Sequence, residues 1–225
     1  MLAFDKVTVA LGGVRILREV SFEVAPAETI AFVGANGAGK TTTLRTVMGF
    51  TEATGKIKFG DTLLSDIPAA KRPRLGIGYA PEDRRLFSAF TVEENILMPG
   101  QVAGYSAAEL EEGLARVYSI LPELREMAPR PAGSVSGGQG KMAALGRALM
   151  IGKRLLMLDE PFQGLAPALA RRYAQALRAL RDADRDVTLV ITESNPSLLR
   201  NFADRALVIE RGEVREGTLN TEDAA

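Results

Sequence analysis

Apolar and polar positions follow two rhythms along this chain, one suited to strands and the other to helices. Residues 7–10 (VTVA), 21–24 (SFEV) and 29–34 (TIAFVG) are short runs rich in β-branched and aromatic side chains, punctuated by Gly12-Gly13 and Pro26. Runs of this kind read as strands. After Lys40 the pattern becomes helical through Thr41–Met48, and residues 55–60 (GKIKFG) and 75–80 (LGIGYA) return to strand, the second ending at Pro81. From Thr91 to Met150 the chain reads as helices. Ser106 and Glu109 have the spacing of a capping box, and Leu110, Leu114, Val117 and Leu121 then share one face. Met142, Leu145 and Leu149 mark a further amphipathic helix.

Alternation resumes beyond that point. A strand is predicted at 155–159 (LLMLD), followed by a helix with Leu169, Tyr173, Leu177 and Leu180 on one stripe. Next come a strand at 187–191 (VTLVI), a helix through Leu198 and Leu199 opened by Asn195-Pro196, and a strand at 205–210 (RALVIE). Strands alternating with helices of this length form βαβ units around a parallel sheet. The prediction is one α/β domain over residues 1–225, with a helical insertion at about 91–150 and a polar tail after Gly217.

Composition narrows the chemistry. The 225 residues contain no cysteine and no histidine, which excludes thiol and imidazole catalysis, disulfides and zinc sites built on those ligands. Any metal must be held by oxygen, which favours a hard cation such as Mg²⁺. Lys plus Arg and Asp plus Glu balance at 28 each, so there is no electrostatic footprint for nucleic acid. The opening MLAFDKVTVA has an acid at its fifth position and is unlike a signal peptide. No apolar run approaches the ~18 residues of a membrane span. These features point to a protein of the cytoplasm, whose membrane association would come through a partner.

Residues 34–42, GANGAGKTT, follow an apolar strand and fit the spacing G-x-x-x-x-G-K-[ST]. Gly34, Ala35, Asn36, Gly37, Ala38 and Gly39 form a loop whose backbone N–H groups can curl around a phosphate, and the helix beyond adds its dipole. Lys40 is placed to reach the β- and γ-phosphates, the Thr41 hydroxyl to ligand Mg²⁺, and Thr42 completes the loop. The strand at 155–159 delivers Asp159 and Glu160 at its carboxyl end. Alone, an acidic pair there is an ordinary strand terminus. Beside a phosphate loop, Asp159 reads as the metal-orienting residue and Glu160 as the one that polarises the attacking water.

Residues 135–141, VSGGQGK, lie between those two stretches and just ahead of an amphipathic helix. With them the chain resembles the ATP-binding subunit of an ABC transporter, from FDKVTVALGGVRILREVSFEV to RALVIERGEV. GANGAGKTT, PEDRRLFSAFTVEENIL and LLMLDEPFQGLAP are most similar to the ATPases of branched-chain amino acid importers. The resemblance implies a P-loop NTPase core with a mostly parallel sheet, an N-terminal antiparallel β part and an inserted helical subdomain. It further implies that two such subunits, alike or different, close head to tail around two ATP molecules. Each nucleotide is then covered by Ser136, Gly137, Gly138 and Gln139 of the other subunit. The implied partners are two membrane permeases, which dock on the helices of 91–150, and, indirectly, a periplasmic solute-binding protein. Phe162–Ala166 matches the segment that crosses the dimer interface. A soluble ABC ATPase outside transport, or a regulatory subunit that binds ATP without turnover, are the competing readings.

Three positions depart from the family pattern. Leu11 stands where an aromatic residue usually stacks on adenine. Glu82 replaces the usual glutamine that touches Mg²⁺, a change familiar in the branched-chain group. Ser194 aligns with the histidine that usually contacts the γ-phosphate, and a side chain this short needs a bridging water to reach it. Arg84 and Arg85 read as part of a solvated loop.

Overall fold

Strand β1 (Leu2–Leu11) is longer than its periodicity announced. Phe4 and Val7 are both buried although three positions apart, which strict alternation forbids. A register shift between them, with Lys6 at φ 49°, returns both side chains to one face. That bulge hid the first half of the strand from a period-two reading.

The computed structural model describes residues 1–200 and 202–219. They divide into two units, one made of Met1–Arg72 with the chain from Thr188 onward, the other of Pro73–Val187. In the first unit β1 pairs antiparallel with β2 (Val14–Val24) and β4 (Thr54–Phe59), and β5 (Thr62–Leu63) completes the order β2-β1-β4-β5. Strand β3 (Thr29–Val33), buried at every position, lies parallel between β8 (Thr188–Glu193) and β9 (Arg205–Glu210). Helix α1 (Lys40–Met48) follows β3. Strand β10 (Glu213–Gly217) turns back antiparallel on β9 through Arg211-Gly212. Its residues are mostly charged, so its pairing partner rather than its own pattern makes it a strand. The polar tail beyond Leu219 lies outside the described residues.

In the second unit β6 (Ile77–Ala80) runs parallel to β7 (Leu155–Asp159). The helices are α2 (Val92–Val102), α3 (Ala107–Ile120), α4 (Glu123–Met127), α5 (Gly137–Ile151) and α6 (Pro167–Ala183). Ile96, Val117, Leu121, Leu124, Leu145 and Leu149 are fully buried among α2 to α5. The predicted faces are therefore the packed ones, and the Ser106–Glu109 capping box is present on both of its hydrogen bonds.

Two expectations near residue 190 are corrected. The strand does not break at Ile191, because Thr192 pairs with Phe32 and Glu193 with Val33, and both polar residues are buried. The helix expected through Leu198 and Leu199 is only the 3₁₀ turn Pro196–Leu198. Asn195 Oδ1 accepts from Ser197 N at 3.1 Å, and the chain soon returns to β3, where Asp204 N donates to Thr29 O at 2.8 Å. So early a return leaves no length for a full helix.

Candidate nucleotide site

Each unit carries one part of the candidate chemistry. In the first, β3 delivers the chain to the loop of residues 34–39 and α1 carries it away. Gly39 precedes α1 with φ 117°, a conformation that L side chains rarely adopt. Gly34 is required for a different reason: a Cβ there would lie 2.2 Å from the carbonyl oxygen of Ile209 on β9. Lys40 is 4% exposed, and its ammonium donates to the carbonyl oxygens of Gly34 and Ala35 and to Ser194 Oγ at 3.0 Å. Ser194 in turn donates to Asn36 Oδ1 at 2.8 Å. The structure thus brings Lys40, Ser194 and Asn36 together, and Ser194 is tied to the phosphate loop directly.

Thr41 and Thr42 are half-buried in the first turn of α1, whereas the Thr43 hydroxyl turns back to Gly39 O at 3.0 Å. No side chain caps α1, while α2, α3 and α5 each begin with a complete capping box. A helix N-terminus presented by a loop and a buried lysine suits an anion, since orphan N–H groups and the macrodipole act together there. Leu11, at the end of β1, is 46% exposed.

In the second unit Asp159 ends β7 and Glu160 follows it, both almost fully buried. Asp159 Oδ2 accepts a hydrogen bond from the Tyr79 hydroxyl at 3.0 Å, so one carboxylate oxygen has its direction set by β6. Glu160 has φ 46°; the left-handed region costs a non-glycine residue about 1–2 kcal/mol. Phe162 anchors the turn that follows by packing edge-on against Tyr173, with ring centroids 5.6 Å apart. The ammonium of Lys141 on α5 donates to Glu160 O at 2.8 Å and to Gln163 O at 2.6 Å.

Ser136 is the N-cap of α5. Its Oγ accepts from Gln139 N at 3.3 Å while Gln139 Oε1 accepts from Ser136 N at 3.0 Å. As a cap the serine is an acceptor, so its own O–H proton stays available to a phosphate oxygen. Gly137 and Gly138 occupy the first turn of the same helix.

Glu82 is exposed in the turn after β6. Among the described residues no three acidic side chains converge on a metal position. The donors fit Mg²⁺ all the same, because that ion needs one or two carboxylates and takes its other ligands from water and phosphate. Asp159, buried and with one oxygen oriented, suits that role.

Sequence reasoning missed four side chains. Tyr79 and Lys141 gave no signal beyond lying near recognised stretches. Arg84, expected in a solvated loop, instead donates to Gly137 O at 2.9 Å. Arg147 holds the carbonyls of Arg84 and Arg85 at 2.8 and 2.6 Å. Arg84 and Arg85 both have positive φ, 62° and 45°, so Arg147 braces a strained turn. Burial pushes its guanidinium below the ordinary value, with Asp83 opposing. Arg85 itself remains exposed beside Asp83.

A glycine-rich loop between a buried strand and an uncapped helix, with a lysine folded over it, defines a P-loop nucleotide-binding protein. Known proteins narrow the class. Residues 17–163 match the family model described as ABC transporter. The chain is 39% identical over 215 residues to the high-affinity branched-chain amino acid transport ATP-binding protein BraG of Pseudomonas aeruginosa, covering 95% of this chain and 91% of that one. It is 32% identical to the probable branched-chain amino acid transport ATP-binding protein LivF of Archaeoglobus fulgidus, covering 98% and 93%. The lipopolysaccharide export system ATP-binding protein LptB of Escherichia coli K12 is 30% identical, covering 90% and 84%. A solved ATP-binding subunit of an ABC transporter superposes with TM-score 0.84 at 25% identity, covering 97% and 90%. The chain belongs to the ABC transporter family, as an ATP-binding ATPase coupled to transport. Its fold is the P-loop NTPase cassette with an antiparallel N-terminal sheet.

Proposed function

We propose that this single-domain chain hydrolyses ATP to power an importer of branched-chain amino acids or a related small organic solute. The observation that carries the reading is Lys40, whose buried ammonium is held by the loop's own carbonyls above the uncapped start of α1. Phosphate oxygens can take the place of those carbonyls as acceptors for the Lys40 ammonium. Extended identity to BraG supports the choice of solute.

The loop of Gly34 to Gly39 and the amides of Lys40, Thr41 and Thr42 cradle the phosphates, and Lys40 neutralises charge at the β- and γ-positions. Thr41, Asp159 and Glu82 would hold Mg²⁺, which would offset the negative charge of the phosphates. Glu160 orients and polarises the attacking water, a role worth roughly 10²–10⁴-fold for general bases. Ser194 contributes its hydroxyl toward the γ-phosphate, and Leu11 packs against the base. A second ATPase subunit, identical or not, supplies its own Ser136–Gln139 run over this chain's nucleotide. Closure of the pair drives two permeases at the cytoplasmic face of the membrane, fed by a periplasmic solute-binding protein. Nucleic acid has no part in the scheme, and no helix of the described residues is long and apolar enough to cross a membrane.

Similarity to LptB favours a second reading, in which the same cassette powers export. Co-purification from membranes separates the two. Import predicts permeases that take up leucine when reconstituted with this chain and ATP; ATP-driven release of lipid, with no leucine uptake, selects export. Glu160→Gln should reduce turnover to a small residual level, roughly 10²–10⁴-fold below wild type, and retain ATP binding, and turnover unaffected by that change would reject the assignment of Glu160.

A further inference from the structure

The side chain of Lys141 crosses from the second turn of α5 to the turn that follows β7. There its ammonium donates to Glu160 O at 2.8 Å and Gln163 O at 2.6 Å, with Pro161 O at 3.5 Å. Three N–H donors therefore converge on three backbone oxygens of a four-residue segment. The same segment holds Glu160 at φ 46°, a conformation that persists only when its surroundings over-determine it. Local turn bonds are long, Gln163 N to Glu160 O and Leu165 N to Phe162 O at 3.2 Å each. The charge-assisted bonds from Lys141 are the shorter and stronger ones.

We propose that Lys141 is a positioning residue for Glu160, its ammonium holding the 160–163 turn in the left-handed conformation that aims the carboxylate at the attacking water. The proposal rests on the reading of Glu160 given above. Packing alone does not replace this role. The Phe162 ring against Tyr173 seats the turn two residues beyond Glu160, whereas Lys141 acts on the Glu160 peptide itself. Removal of the ammonium should thus leave the turn attached but less restrained at Glu160. Lys141 also stands two residues after Gln139, so the turn carrying Glu160 is bound to the helix that begins with Ser136.

The test compares Lys141→Met and Lys141→Arg with the wild type. Amide exchange on the nucleotide-free protein reads the turn at Gln163 and Leu165; ATP titration and steady-state kinetics read the site. In Lys141→Met exchange at those amides should quicken about tenfold or more. Its kcat should fall roughly 10- to 100-fold, with ATP affinity and KM within about twofold of wild type. Lys141→Arg, able to donate to several carbonyls, should recover most of both. In a Glu160→Gln background, Lys141→Met should remove no further residual turnover. Unchanged exchange, unchanged kcat despite faster exchange, or parallel loss of kcat and ATP affinity would each overturn the proposal. Equal turnover in wild type and Glu160→Gln rejects the role of Glu160 itself, a result distinct from any of these.

Discussion

Lys40 Nζ lies 3.0 Å from Ser194 Oγ, although the two residues are 154 positions apart. The serine accepts from the lysine and donates to Asn36, so it joins the end of β8 to the phosphate loop. Replacing it with alanine removes a hydrogen bond to a charged group, worth about 1.5–3 kcal/mol. Turnover of Ser194→Ala should fall by roughly tenfold or more, with a smaller loss of ATP affinity. Steady-state kinetics beside ATP titration check this, and unchanged turnover would leave the serine a turn residue only.

Tyr79 sets the direction of one Asp159 oxygen. In Tyr79→Phe the ring stays and the hydroxyl goes, so the Asp159 carboxylate loses one of the bonds that orient it. If Asp159 holds the metal, Mn²⁺ bound with a non-hydrolysable ATP analogue, followed by electron paramagnetic resonance, should bind about 10- to 100-fold more weakly, as loss of a bond that orients a ligand commonly does. Unaltered Mn²⁺ affinity would show that the bond serves the fold alone.

Gly78 on β6 approaches the carboxyl end of α5 so closely that a Cβ would meet Ala148 O at 2.3 Å and Gly152 Cα at 2.9 Å. Both obstacles are backbone and cannot swing aside. Gly78→Ala should cost about 1–3 kcal/mol, lowering the melting temperature by roughly 2–4 °C per kcal/mol in a chain of this size. Thermal unfolding followed by circular dichroism measures it.

Leu11 can pack on a base but offers no π face. If it lies against adenine, Leu11→Tyr should tighten ATP binding by about 1–3 kcal/mol, the range for stacking on aromatics. Titration of ATP and GTP into both proteins reads this, with equal affinities placing the base elsewhere.

The glycine-rich loop ahead of α1 and the place of the Asp159-Glu160 pair at the end of β7 were legible in the sequence because each is a local pattern. Helices α3 and α5 were legible because their apolar faces repeat. Strand β10 and the first half of β1 were not: one owes its conformation to β9, the other is offset by a bulge. Thr192 and Glu193 misled for a related reason, since pairing with β3 outweighs their polarity. Lys141, Tyr79, Arg84 and Arg147 act on partners up to 80 positions away. Their roles exist only once the chain has folded, and no short window contains both ends of the interaction.

The missing cap on α1 has a consequence for the nucleotide as well as for the protein. Helices α2, α3 and α5 are each finished by a serine or threonine of their own, whereas α1, like α4 and α6, has no side-chain cap; only α1 follows the glycine-rich loop with Lys40 folded over it. On the proposed reading, triphosphate oxygens would accept there as Thr91, Ser106 and Ser136 accept in their own helices. On that reading the bound nucleotide completes α1, and its departure, rather than hydrolysis alone, would return the helix's first N–H groups to other acceptors.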